Sequence, residues 1–223
     1  MQNLNQYIDH TLLKATATQE AIIQLCKEAK EYKFFAVCVN SGYVALAKKY
    51  LTESDVKVCS VIGFPLGAMS TPAKVLEATK AVADGADEID MVINIGQLKS
   101  ENFDAVWKDI EAVKNAIGHK VLKVILEICY LNKTEIIKAS ELALLSGADF
   151  IKTSTGFGTG GATIEGVQLM KCVAENNAKI KASGGIRDRK TALEYIAAGA
   201  ERIGTSSGIA IVTDKTTGNE HTY

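Results

Sequence analysis

Lys152, in Phe150-Ile-Lys-Thr-Ser-Thr-Gly156, and Lys181, in Ile180-Lys-Ala-Ser-Gly-Gly185, sit in apolar strand-like runs directly before loops of glycine, serine and threonine. A parallel βα fold brings such positions to the carboxyl ends of its strands, where these folds keep their active sites. A desolvated lysine that feels a second cation close by gives up its proton more readily and becomes a nucleophile toward carbonyl carbon. One lysine at a strand end more often snorkels to water along an apolar surface. Two at equivalent strand positions, each followed by a glycine-bearing loop, point instead to Schiff-base chemistry.

Strand alternation gives Lys152 a common face with Phe150 and Ser154, and Lys181 a common face with Lys179 and Ser183. Asp90, in Glu88-Ile-Asp-Met-Val-Ile-Asn94, is a carboxylate in apolar sequence and requires a partner. Support of a strand through a salt bridge and proton transfer are both open to it; lysines on facing strands favour proton transfer. Lys123 and Glu127 share a strand face in Val121-Leu-Lys-Val-Ile-Leu-Glu127, which predicts a structural ion pair between them inside the fold.

Two further glycine-rich loops, Ala182-Ser-Gly-Gly-Ile-Arg187 and Gly204-Thr-Ser-Ser-Gly208, come in consecutive βα units. Small residues let backbone N–H groups approach an anion closely and hydroxyls add donors, so the pair reads as a phosphate site rather than two tight turns. Gly156-Phe-Gly-Thr-Gly-Gly161 has neither the Walker ending nor the Gly-x-Gly-x-x-Gly spacing and is not read as a nucleotide loop. The three histidines, His10, His119 and His221, form no metal-binding pair, and His10 reads as a satisfied core residue. No metal and no cofactor is expected.

The elements that must position these groups are legible from punctuation. Gly85-Ala-Asp-Glu-Ile-Asp90, Gly147-Ala-Asp-Phe-Ile-Lys152 and Gly199-Ala-Glu-Arg-Ile-Gly204 repeat one phrase, a helix-ending glycine followed by a strand. Strands are predicted at Phe35–Val39, Val56–Ile62, Glu88–Asn94 and Val121–Ile128, with a weaker first strand at Tyr7–Thr11. Helices are predicted at Thr18–Ala29, Thr71–Thr79 and Asn132–Ala143, and Trp107 falls in another, packed on the barrel or a partner chain. About eight alternations of roughly 25 residues suit a single-domain α/β fold, a (β/α)8 TIM barrel, with a doubly wound open sheet as the alternative. The domain spans residues 1–223, with residues 213–223 as a loosely ordered tail.

With 25 Lys and Arg against 26 Asp and Glu, no global field points to nucleic acid or to an acidic membrane. Five scattered cysteines without a Cys-x-x-Cys pair read as reduced, mostly buried thiols. A cytoplasmic protein acting on small molecules is expected.

Taken in order, Asp9-His-Thr-Leu-Leu-Lys14, Val37-Cys-Val39, Gly63-Phe-Pro-Leu-Gly67, Glu88–Asn94, Lys123–Glu127, Phe150–Gly156, Lys181–Arg187 and Arg202-Ile-Gly-Thr-Ser-Ser207 resemble the deoxyribose-phosphate aldolase family over nearly the whole chain. The resemblance implies a class I aldolase that reversibly cleaves 2-deoxy-D-ribose 5-phosphate to D-glyceraldehyde 3-phosphate and acetaldehyde, in deoxyribonucleoside breakdown. Its partners are then a phosphorylated sugar and aldehydes, and the family often forms dimers. By motif, Lys152 is similar to the Schiff-base lysine, Lys181 to the lysine that perturbs it and assists proton transfer, and Asp90 to the acid/base carboxylate. Asp9, Cys38, Lys123 and Thr155 match substrate-lining positions; Gly184, Gly185, Ser206 and Ser207 match the phosphate site. Some relatives carry lysine where this chain has Phe157, which shifts phosphate binding toward Arg187 and backbone donors. Tyr223 is expected to fold back over the mouth as a lid. The other readings are a phosphate-binding class I aldolase with a different donor, a sugar-phosphate isomerase, or a non-catalytic barrel that senses a sugar phosphate.

Overall fold

The computed structural model describes residues 4–214, so Tyr223 and the lid expected of it lie outside the described residues. Eight parallel strands follow one another around a closed barrel: β1 (Ile8–Leu12), β2 (Ala36–Asn40), β3 (Lys57–Ile62), β4 (Glu88–Val92), β5 (Val121–Ile125), β6 (Phe150–Lys152), β7 (Lys179–Ser183) and β8 (Arg202–Thr205). Closure runs through Ile8 against Ile203 and Asp9 against Gly204, so the open-sheet alternative is excluded. The helices are α1 (Gln19–Glu31), α2 (Val44–Tyr50), α3 (Thr71–Ala83), α4 (Ile95–Lys99), α5 (Phe103–Ile117), α6 (Lys133–Leu145), α7 (Ile164–Ala174), α8 (Arg189–Ala197) and α9 (Gly208–Thr213). Thr213, the first residue of the expected tail, therefore closes α9.

Local chemistry accounts for the helix starts. The Thr18 side chain accepts the Ala21 N–H, Pro72 sits in the first turn of α3, and Asn132 with Glu135 forms a capping box on α6. Gly85, Gly147 and Gly199 take φ of 108°, 75° and 112°, so the repeated phrase does mark helix-to-strand junctions.

One face of each strand packs outward on the helices: Ile8, Val37, Val39, Val58, Ile62, Ile89, Met91, Leu122, Val124, Ile151, Ile180 and Ile203 all belong to the main apolar core. Each such side chain contributes about 1.5–3 kcal/mol of burial before entropy is counted. The inward face is different. Barrels of this class usually fill it with branched aliphatics, but here it carries Asp9, Glu88, Asp90, Lys123, Lys152, Lys181 and Arg202, all buried. A small apolar cluster of Leu13, Cys38, Cys59 and Val61 completes the interior beside them.

Two expectations need correction. Val121–Ile128 is not one strand: pairing stops at Ile125 because Glu127 adopts a left-handed φ of 57°. That break turns Glu127 away from Lys123, so the expected Lys123–Glu127 ion pair does not exist. Lys123 reaches Glu88 at 2.5 Å and Asp90 at 2.8 Å instead.

Candidate active site

Lys152 and Lys181 are register partners on β6 and β7, and Asp90 is the partner of Lys123 across β4 and β5. Both Lys152 Nζ and Lys181 Nζ donate to the same oxygen, Asp90 Oδ2, each at 2.8 Å. The other oxygen, Oδ1, accepts from Lys123 Nζ at 2.8 Å and from the Cys59 thiol at 3.0 Å. Lys181 also pairs with Asp9, and Arg202 bridges Asp9 at 2.8 Å and Glu88 at 3.2 Å. Four basic side chains face three carboxylates; Lys152, 3% exposed, has Asp90 as its single carboxylate contact.

The electrostatics follow from this arrangement. Burial alone would raise the Asp90 carboxyl, but the ammonium groups of Lys123, Lys152 and Lys181 outweigh it and hold Asp90 well below the usual carboxylate range. Asp9 is held down in the same way by Lys181 and Arg202 against its own burial. Burial would lower Lys181, yet Asp9 and Asp90 push it well above the ordinary lysine value. Lys181 is thus a fixed cation at neutral pH, sharing an oxygen with Lys152. Cys38, wholly buried, is lowered chiefly by the neighbouring Cys59 thiol, while burial drives Cys59 up.

Cys38, Cys59 and Asp90, and likewise Asp9, Cys59 and Glu88, bring potential metal donors within reach of one another. Ammonium groups already contact Asp90, Asp9 and Glu88 in both sets. That positive surrounding opposes a second cation.

At the mouth, Gly184 and Gly185 take φ of 88° and 82°. A cavity of about 400 Å³ opens beside them, lined by Gly185, Arg187, Ser206 and Ser207 together with Thr11 and Lys14. The loop after β6 presses on this region: a Cβ on Gly161 would lie 2.3 Å from the Gly184 carbonyl oxygen, so only glycine permits the approach. Thr155 is buried, its N–H donating to Glu127 Oε1 at 3.1 Å and its hydroxyl to Glu127 Oε2. Phe157 packs edge-on against Phe64 at 5.2 Å.

The barrel gathers Lys152, Lys181, Asp90, Asp9, Cys38 and Lys123 into one interior, with Lys123 fully buried where it holds Asp90. Gly185, Arg187, Ser206 and Ser207 share the neighbouring cavity. His10 lies outside the wall, its Nε2 2.7 Å from Glu28, and its Nδ1 has no partner, so it is only half satisfied. Cys26, Cys38 and Cys59 are buried, Cys129 is half-buried and Cys172 exposed; all are free thiols. Sequence reasoning missed Glu88 and Arg202 as members of the charge network. Glu88 stands two residues before Asp90 on the same strand face, and the period-two pattern contained that signal.

A closed eight-stranded barrel with a lysine pair and a carboxylate at its carboxyl end is the architecture of a lysine-dependent aldolase. The chain belongs to the DeoC/LacD family of aldolases, whose model matches residues 4–214. A deoxyribose-phosphate aldolase of Finegoldia magna is 59% identical over 94% of this chain and 98% of its own length. The solved structure of QR15, an aldolase, superposes with a TM-score of 0.92 at 47% identity, covering 96% of each chain. The tetrameric deoxyribose-phosphate aldolase of Aeropyrum pernix gives 0.87 at 33%, covering 95% of this chain and 90% of that one. Among the described residues no helix is long and apolar enough to cross a membrane.

Proposed function

We propose that this aldolase cleaves 2-deoxy-D-ribose 5-phosphate reversibly to D-glyceraldehyde 3-phosphate and acetaldehyde through an imine on Lys152. The observation that carries the reading is the oxygen of Asp90 shared by Lys152 and Lys181 in the barrel interior. Lys152 in its neutral form adds to the C1 aldehyde, water leaves, and the protonated imine becomes the electron sink for breaking the C2–C3 bond. Asp90 takes the C3 hydroxyl proton through water as glyceraldehyde 3-phosphate departs, and the two-carbon enamine is protonated at C2 and hydrolysed to acetaldehyde.

Because the three ammonium groups weaken Asp90 as a base, it relays the proton rather than storing it, and Lys181, bound to the same carboxylate, assists the transfer. Lys123, Glu88, Asp9 and Arg202 act behind these groups by fixing their positions. Cys38 and Thr155 line the site. Backbone N–H groups of Gly184, Gly185 and Ser206 and the hydroxyl of Ser207 hold the phosphate, with Arg187 adding charge at the rim.

We place the protein in the cytoplasm, in keeping with its five unpaired cysteines, as a single domain of residues 1–223 acting as a homodimer. The tetrameric relative supports self-association, and sedimentation at several protein concentrations tests it. Incubation with deoxyribose 5-phosphate tests the reaction, since acetaldehyde release separates it from isomerisation and from an aldolase with another donor. An intact five-carbon product, or ligand binding without turnover, would replace the reading with a sugar-phosphate isomerase or a sensor.

A further inference from the structure

Among the described residues, four buried side-chain polar atoms have no hydrogen-bond partner: His10 Nδ1, Trp107 Nε1, Ser154 Oγ and Ser183 Oγ. His10 faces outward from β1 and Trp107 lies on α5, whereas each serine follows one of the two paired lysines by two residues and keeps that lysine's strand parity. Ser183 is the better defined. It ends β7, is 4% exposed, and is the register partner of Gly204 on β8. A Cβ at Gly204 would meet Ser183 Oγ at 2.4 Å and the Lys181 side chain at 3.0 Å, so the hydroxyl lies on the lysine's side of the wall, in space that the missing side chain leaves to it.

A buried hydroxyl without a partner costs stability. Here the backbone around it is satisfied: the Ser183 N–H donates to Thr153 Oγ1 at 3.1 Å and its carbonyl accepts from the same hydroxyl at 3.2 Å. Only the side chain is left over, and it stands directly before Gly184, where the phosphate loop starts.

We propose that Ser183 is a specificity-determining residue whose hydroxyl binds the C4 hydroxyl of the sugar phosphate. The inference rests on the substrate reading above. With C1 bound to Lys152, the C3 hydroxyl facing Asp90 and the C5 phosphate in the glycine-rich loops, C4 is the atom left between them. Ser183 occupies the matching interval, about 6.6 Å along the strand from Lys181 at a rise of roughly 3.3 Å per residue. A site built to hydrogen-bond a substrate hydroxyl discriminates against the analogue lacking it.

The test compares kcat/KM for deoxyribose 5-phosphate and for the otherwise identical 4-deoxy compound in the unmodified enzyme and in Ser183→Ala, with thermal unfolding of both proteins. The expected result is a loss of about 5- to 10-fold on the natural sugar, a change under about twofold on the 4-deoxy compound, and an unfolding temperature that is unchanged or higher. Equal losses on both compounds, no loss on either, or a lower unfolding temperature would overturn the assignment and make Ser183 structural. Failure of the unmodified enzyme to release acetaldehyde from deoxyribose 5-phosphate would overturn the substrate reading and this inference with it.

Discussion

Lys152 and Lys181, partners in register on adjacent strands, point their amines at one oxygen of one carboxylate, each 2.8 Å away. The two amines differ in what stands behind them. Lys181 has Asp9 as a second carboxylate, and Asp9 is itself held by Arg202, whereas Lys152 has Asp90 alone. The fold thereby surrounds Lys181 with two carboxylates and leaves Lys152 with one.

Replacing Lys152 with leucine removes the amine proposed as the nucleophile and one of the four basic groups that face three carboxylates. Turnover is expected to fall by at least about 10⁴-fold, while stability changes by less than about 1.5 kcal/mol, since side-chain volume is nearly kept. Acetaldehyde release and urea unfolding check the two halves; a rate near that of the unmodified enzyme would remove Lys152 from its role.

Lys181→Leu leaves Lys152 in place but takes away its neighbouring cation and the group that assists the proton transfer. Slow residual turnover is expected, down by about 10² to 10⁴-fold, with a shifted pH–rate profile. An unshifted profile at full rate would contradict the role given to Lys181.

The interior charges also set the pH range of stability. Asp9 and Asp90 titrate below their ordinary value of 3.8 in the folded protein, so their contribution is present above that pH and is lost as the pH falls below it. Lys181 titrates above its ordinary 10.5, so its contribution is present below that pH and disappears as the pH rises beyond it. Denaturant midpoints measured from pH 3 to pH 11 are expected to drop at both ends, and Asp90→Asn is expected to lower the neutral-pH midpoint by leaving buried cations uncompensated.

Glu127 spends a left-handed backbone conformation to bring its carboxylate under Thr155, whose hydroxyl in turn accepts the Phe157 N–H at 2.9 Å. Glu127→Gln keeps the shape but weakens these charge-assisted bonds. KM for the sugar phosphate is expected to rise by about 3- to 10-fold with a smaller effect on kcat; a pure kcat effect would show that Glu127 acts on the chemistry itself.

Much of this was legible in the chain because alternation and glycine punctuation are local. The repeated glycine phrase located three strand entries, and period two placed Asp90, Lys152 and Lys181 on inner faces. The Lys123–Glu127 pairing failed for a local reason of another kind: one left-handed residue ends β5, and a glutamate offers no warning of positive φ. Arg202 escaped because its partners are far away in the chain: it reaches Glu88 across the barrel, 114 positions earlier. Only closure brings them together.

The most direct test is reductive trapping with borohydride in the presence of deoxyribose 5-phosphate and EDTA, followed by peptide mass mapping. A substrate-dependent ethyl group on Lys152 is the predicted result, since it records both the imine and the two-carbon fragment. Cleavage that continues in this mixture with no adduct on Lys152, or that occurs only when EDTA is left out, would contradict the Schiff-base account.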